Sequence, residues 1–199
     1  MVERAARTAG TRDRIAQAAL AQVAAGGYAS ATVNAVAHRA GVAAGSVYTH
    51  FPSKADLFAE VFREANAGEL ALVAEIAARH GDTVPDRLAA AVNAWARRAL
   101  AGPTLAWALM GEPVDPAVEL ERLASKRGFR DVFAALLDEG VARREIQPLD
   151  ARTVAAAIVG AMQEALLGPL ADPEDNHDPL VGSLISFVLH AVQAKELQV

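Results

Sequence analysis

Apolar residues recur at spacings of three and four along most of this chain, and that period predicts helices rather than strands. Val33, Val36 and Ala37 share one such face. Ala40-Gly41-Val42 interrupts it, and Val47 and Phe51 resume it with Tyr48 alongside. Gly41 can take the left-handed conformation that ends one helix and lets the next begin within a few residues. Pro52 closes the second helix, because the residue before a proline is pushed out of the α region. Two short helices joined by a tight glycine turn predict a helix-turn-helix, whose second helix fits the DNA major groove. Taken alone, the pattern also fits any helical hairpin with a glycine turn.

The same periodicity lays out the rest of the chain. Thr11 can cap a first helix through Ile15, Ala18, Ala19, Gln22 and Val23, which Gly26-Gly27 ends, behind a basic arm of residues 1–10. Ser30 and Thr32 both fit the cap of the next helix. Ser53-Lys54-Ala55-Asp56 reads as a capping box that starts a long helix through Leu57, Phe58, Val61, Phe62, Leu70, Val73 and Ile76 to about His80. Gly68 lies inside it, as a bend, a close crossing or a tolerated residue. Thr83 caps a helix through Leu88, Val92, Trp95 and Leu100, which Gly102-Pro103 stops. Leu105–Met110 is a short apolar piece, and Gly111–Val114 a loop. Asp115-Pro116 opens a helix that fades near Gly140–Glu145. Asp150 caps Ala151–Leu167, which Gly168-Pro169 ends, and Asp178-Pro179 starts the last helix. The fold class is all-α with about nine helices: a three-helix head and a larger body. The expected domains are residues 8–54 and 55–199.

The tight turn carries a resemblance. Ala40-Gly41-Val42 followed by Gly45-Ser46-Val47-Tyr48-Thr49-His50-Phe51-Pro52-Ser53-Lys54 resembles the DNA-binding signature of the TetR family of bacterial transcription regulators. The match covers about the first quarter of the chain; the remainder agrees in length and helical pattern. The resemblance implies that Thr32, Tyr48 and Lys54 hold phosphates. It also implies that Asn34, Ala44, Ser46, Thr49 and His50 face the groove, while small Gly45 lets the backbone approach DNA closely. Asn34 suits adenine and the Thr49 methyl suits thymine; His50 fits equally a filler packed under Phe51. Ala43 departs from the family, which places a capping Ser, Asn or Asp there, and a lost cap costs about 1 kcal/mol. Ala44 stands where a base-reading side chain is common.

Charge sharpens this picture. The net charge of −5 is unlike a DNA-binding protein until it is divided. Residues 1–54 carry Arg4, Arg7, Arg12, Arg14, Arg39 and Lys54 against Glu3 and Asp13, a net +4, and the remainder carries −9. A basic head on an acidic body is the asymmetry of a protein that touches nucleic acid at one end. There is no cysteine, which excludes disulfides and zinc–thiolate sites and fits a reducing cytoplasm. The start of the chain is charged rather than apolar, so no signal peptide is expected. The apolar stretch from Pro179 to Ala194 is shorter than a span of about 20 residues and reads as a buried helix.

No cofactor motif and no nucleophile–histidine–acid arrangement is found, so no catalytic residue is assigned. Glu174, His177 and Asp178 are metal-ligand types, but their proline-bordered acidic loop reads as a solvated linker, and no metal is expected. Trp95, Trp107, Met110, Phe129 and Phe133, with Met162 and Gln163, fit the lining of a small-molecule cavity and equally plain core. The resemblance implies a homodimer built on the last two helices. Small residues at Ala157, Gly160 and Ala161 suit close helix contact, and Leu184, Phe187 and Ala191 face it from the last helix. The expected function is a ligand-responsive transcriptional regulator, a repressor that leaves a near-palindromic DNA operator when a small hydrophobic molecule binds. A helical-bundle enzyme or metal-binding protein, and a ligand-independent DNA-binding protein, remain as alternatives.

Overall fold

The computed structural model describes residues 2–171 and 177–193, with side chains from Gly10 to Ala171 and from His177 to Val192. Among these residues there are nine helices and no strand: α1 (Val2–Ser30), α2 (Val33–Ala40), α3 (Ala44–His50), α4 (Lys54–Ala77), α5 (Val84–Ala101), α6 (Pro103–Met110), α7 (Pro116–Ala142), α8 (Ala151–Ala171) and α9 (Asp178–Gln193). The expected capping residues account for the starts of α2, α4, α5 and α8. Thr32 accepts from the Ala35 amide, Thr83 from Asp86, and Ser53 from Asp56. Asp150 accepts from the amides of Arg152 and Thr153. Each satisfies an amide that the first helical turn leaves open.

Three boundaries differ from the periodic reading. Helical backbone begins at Val2 rather than Thr11, since residues 3–9 are mostly strong helix formers. The α1 helix then breaks at Gly26 (φ −150°, ψ 15°) and Gly27 (φ 78°, ψ 174°), with one further turn to Ser30. At the other end, α8 continues through Pro169 to Ala171. A proline in the last turn removes one hydrogen bond only, and buried Leu170 holds that turn to the core.

By packing, the chain divides into two compact units. The first comprises the residues up to 67 together with 104–124. Its core joins Ile15, Ala19 and Val23 of α1 to Val36, Val47, Phe51, Leu57, Phe58 and Phe62, and includes Ala108, Leu109 and Val118. The first half of α4, most of α6 and the first turns of α7 thus share one apolar core with the three head helices, a different partition from a cut at residue 54. Tyr28 packs edge-on against Phe58 and Phe62 within it.

The second unit comprises 68–103 and the residues from 125 onward. Here α5 packs against α8 and α9, which also pack on each other. Buried Val73, Leu88, Val92, Phe133, Leu137, Ile158, Leu166 and Val188 fill it. A Cβ on Gly128 would lie 2.7 Å from the Leu70 side chain, so α4 and α7 cross closely there. The end of α4 is closed by Arg87 of α5, 3% exposed, which donates to the Ala77 carbonyl at 2.8 Å and to Glu139.

Candidate nucleic-acid interface

The turn between α2 and α3 follows from one residue. Gly41 adopts φ 65°, ψ 38°. Its amide donates to the His38 carbonyl at 3.2 Å and the Val42 amide to Ala37 at 3.0 Å. That pair of bonds closes a helix whose C′ residue is left-handed, a position that suits glycine. The α3 helix starts three residues later, at Ala44, with no side-chain cap at Ala43. Its single buried residue, Val47, ties it to the core, and Phe51 locks its end.

The remaining α3 side chains are turned outward. Gly45, Tyr48 and Thr49 are exposed, and Ala44, Ser46 and His50 are half-buried. Tyr48 is 53% exposed despite its large ring. Its hydroxyl is therefore free of the core and available to an outside acceptor or donor. Thr49 donates its hydroxyl to the Gly45 carbonyl at 3.2 Å. Thr32 and Asn34 are exposed at the start of α2. A helix N-terminus with a free polar rim favours anions.

Lys54 opens α4 with its Nζ 4.8 Å from the centre of the Tyr28 ring and 5.5 Å from that of Phe58. Two other head cations are engaged internally. Arg12 pairs with Glu60 and lies over the Phe51 ring at 4.7 Å. Arg14 donates to the Ala40 carbonyl at 2.6 Å. Beside it opens a shallow concavity of about 260 Å³ lined by Arg14, Gln17, Ala18, Arg39 and Ala40. None of the residues expected to bind a small molecule lines it.

Those seven residues are divided by the fold. Trp107 and Met110 lie on α6 in the first unit, half-buried. Trp95, Phe129, Phe133 and Met162 are buried in the second unit, and Gln163 is half-buried there. Trp95 and Phe129 meet edge-on, with centroids 6.5 Å apart. Of the residues expected at a dimer interface, Ala157, Gly160, Phe187 and Ala191 are exposed and Ala161 is half-buried. Leu184 instead points into its own chain at 5% exposure, because it shares the inward face of α9 with Val181 and Val188. Glu174 lies outside the described residues; among those described, no group of three or more His, Cys, Asp or Glu could hold a metal.

Two polar residues of the first unit lie outside the candidates that the sequence pattern offers. Glu112 and Arg122 are each 8% exposed. A lone glutamate between Gly111 and Pro113 is the one local signal for the first; its partners lie more than 80 residues earlier.

Known protein families match both the head and much of the remaining chain. The sequence model of bacterial regulatory proteins of the tetR family matches residues 15–61, and a tetracyclin repressor-like C-terminal domain matches 81–166. The chain is 26% identical over 156 residues to the fatty acid metabolism regulator protein of Bacillus subtilis, covering 77% of this chain and 80% of that protein. It is 41% identical over 64 residues to the HTH-type transcriptional regulator AcrR of Shigella flexneri, covering 31% and 30% of the two chains. Its fold is similar to that of the fatty acid degradation regulator FadR of Bacillus halodurans, with a TM-score of 0.76, 26% identity and coverage of 90% and 94%. It is also similar to FadR of Bacillus subtilis in complex with stearoyl-CoA, with a TM-score of 0.77, 22% identity and coverage of 90% and 98%.

Proposed function

This chain belongs to the TetR family of bacterial regulatory proteins and is a ligand-responsive, DNA-binding transcriptional regulator, and we propose that it is a homodimeric repressor released from a near-palindromic operator by a small, mainly hydrophobic molecule. The observation that carries this reading is α3. Only Val47 of its seven residues is buried, so the helix is held from one side and presents Ser46, Tyr48, Thr49 and His50 on the other. A helix held so can enter a major groove. In this reading Thr32, Tyr48 and Lys54 hold phosphates and set the register, while Asn34, Thr49 and His50 meet base edges.

The dimer is supported by α8 and α9. The α8 helix is apolar over 21 residues, enough by length and composition to cross a membrane, yet only a third of it is buried within the chain. Ala157 and Gly160 on α8 and Phe187 and Ala191 on α9 are left exposed, with Phe187 at 56%. In this reading a second copy, rather than lipid, covers that surface, and the protein works in the cytoplasm. An isologous pair of heads then reads two half-sites related by a two-fold axis.

For the ligand, the relatives suggest a class. One is named a fatty acid metabolism regulator and another was solved with stearoyl-CoA. We take a long-chain acyl group as the first candidate for the hydrophobic part, carried on the charged phosphate-bearing head of a coenzyme A thioester. It must bind the DNA-free form better by a few kcal/mol to empty the operator.

The test is enrichment of duplexes from random sequence by the full chain, followed by titration of the bound duplex with stearoyl-CoA and with free coenzyme A. A palindromic consensus released by stearoyl-CoA alone is the expected result. A consensus without two-fold symmetry overturns the dimeric reading. A consensus that no acyl thioester of any length displaces overturns the ligand class.

A further inference from the structure

Glu112 is a nearly buried carboxylate in the turn between α6 and α7, and both of its oxygens are used. One accepts the Tyr28 amide at 2.7 Å and the other the Ala29 amide at 2.8 Å. These amides open the short turn that leads from Gly27 into α2. Gly27 holds φ +78°, and a Cβ on it would lie 3.0 and 3.1 Å from the same two oxygens. The carboxylate thus occupies the space where a side chain at position 27 would be. Next to it Asp115 accepts the phenol of Tyr28, whose ring lies under the Lys54 ammonium.

The other side of the turn is held as firmly. The amides of Gly111 and Glu112 both donate to the Trp107 carbonyl, at 2.8 and 3.0 Å. Arg122 donates to the carbonyls of Ala108 and Leu109 at 3.0 Å and of Glu112 at 2.8 Å, and pairs with Glu119. The last carbonyls of α6, the turn after it and the turn before α2 therefore form one continuous hydrogen-bonded chain. Burying a carboxylate is costly unless its hydrogen bonds are satisfied. An apolar residue would pack here without that cost, but it would not grip two amides at fixed angles.

We infer that Glu112 is a positioning residue for DNA binding, which ties the end of α6 to the start of the helix-turn-helix so that a displacement of either moves the other. It contacts no DNA. It acts through Tyr28, which lies against Lys54, and through Ala29, three residues before the Thr32 cap. The inference rests on the DNA-contacting role of the head proposed above.

Backbone hydrogen exchange in the full chain, with and without a duplex enriched from random sequence, tests it. In the unaltered protein, saturating duplex should slow exchange at residues 27–35 and also, several-fold, at 108–114. Glu112→Gln keeps the size but turns an NH₂ group toward one amide donor. It should weaken duplex binding about tenfold, the share of one hydrogen bond to a charged group, and abolish the slowing at 108–114 while the slowing at 27–35 persists at saturation. Tyr28→Phe, which keeps the ring and loses only the bond to Asp115, should reduce the slowing at 108–114 in the same direction and carries the test if Glu112→Gln does not fold. A residue that merely stabilises the fold would speed exchange with and without DNA and leave the DNA-dependent difference intact, and that result overturns the inference. So does an unaltered protein in which duplex leaves 108–114 unchanged. A chain that enriches no duplex overturns the DNA-contacting role itself, which distinguishes the two failures.

Discussion

The ammonium of Lys54 rests 4.8 Å from the centre of the Tyr28 ring, so the first residue of α4 is set against the last turn of α1. This contact aims a cation that the sequence motif alone leaves on a flexible stem. At a half-exposed site a cation–π contact is worth about 0.5–1 kcal/mol. Lys54→Ala should therefore lose that much stability. It should also weaken binding to all duplexes alike and reduce the slope of log affinity against log salt by about 0.9 for each protomer bound. Titrations at several salt concentrations, with matched and scrambled duplexes, check this. Loss confined to one base position would mean that Lys54 reads sequence rather than phosphate.

Gly68 lies inside α4, and a Cβ there would meet nothing within 4 Å. Of the three roles open from sequence, the close crossing falls to Gly128 against Leu70 instead. Glycine inside a helix costs about 0.5–1 kcal/mol relative to alanine. Gly68→Ala should raise the thermal midpoint by a few degrees. A lower midpoint would show that α4 bends at this residue in a way alanine resists.

Gly160 is likewise open, with nothing within 4 Å of a Cβ inside its own chain. Gly160→Leu therefore starts its side chain in open space on the protomer, and a loss of association reports on the proposed dimer surface. Overpacking a close contact costs about 1–3 kcal/mol. Sedimentation should show a shift to monomer by about one to two decades in concentration, with duplex affinity falling in parallel. A variant as dimeric as the parent would place the interface away from this face of α8.

Burial, and next the hydrogen bond to Asp115, raise the Tyr28 phenol above the ordinary tyrosine range. The folded state thus holds this proton more tightly than the unfolded chain. The stability it contributes is complete below the unfolded pKa of about 10. It is lost as pH rises from there through the higher folded value. Denaturant unfolding from pH 8 to 11.5 should show stability falling above pH 10, with part of that fall absent in Tyr28→Phe. Equal slopes in the two proteins would assign the alkaline loss to other groups.

The helices, their caps and the helix-turn-helix were legible along the chain because each is decided within a few residues. The period of Val33, Val36 and Ala37 fixes a helical face. Gly41 permits the left-handed turn, and the side chains of Thr32, Ser53, Thr83 and Asp150 satisfy amides two or three residues away. Ala43 announced its own missing cap. What the tertiary structure decided lies at long range. The local pattern makes Glu112 a loop residue, and only folding brings it under Gly27 and brings Arg122 onto the carbonyls closing α6. Inward and outward sides of apolar α9 are indistinguishable by composition, so Leu184 and Phe187 read alike until packing on α5 and α8 turned one in and left the other out. Trp95 and Trp107 read alike in the same way, yet they fall in different units. A residue's own neighbours in sequence set its backbone. Which distant surface meets its side chain depends on how the helices pack, and no short window of the chain encodes that.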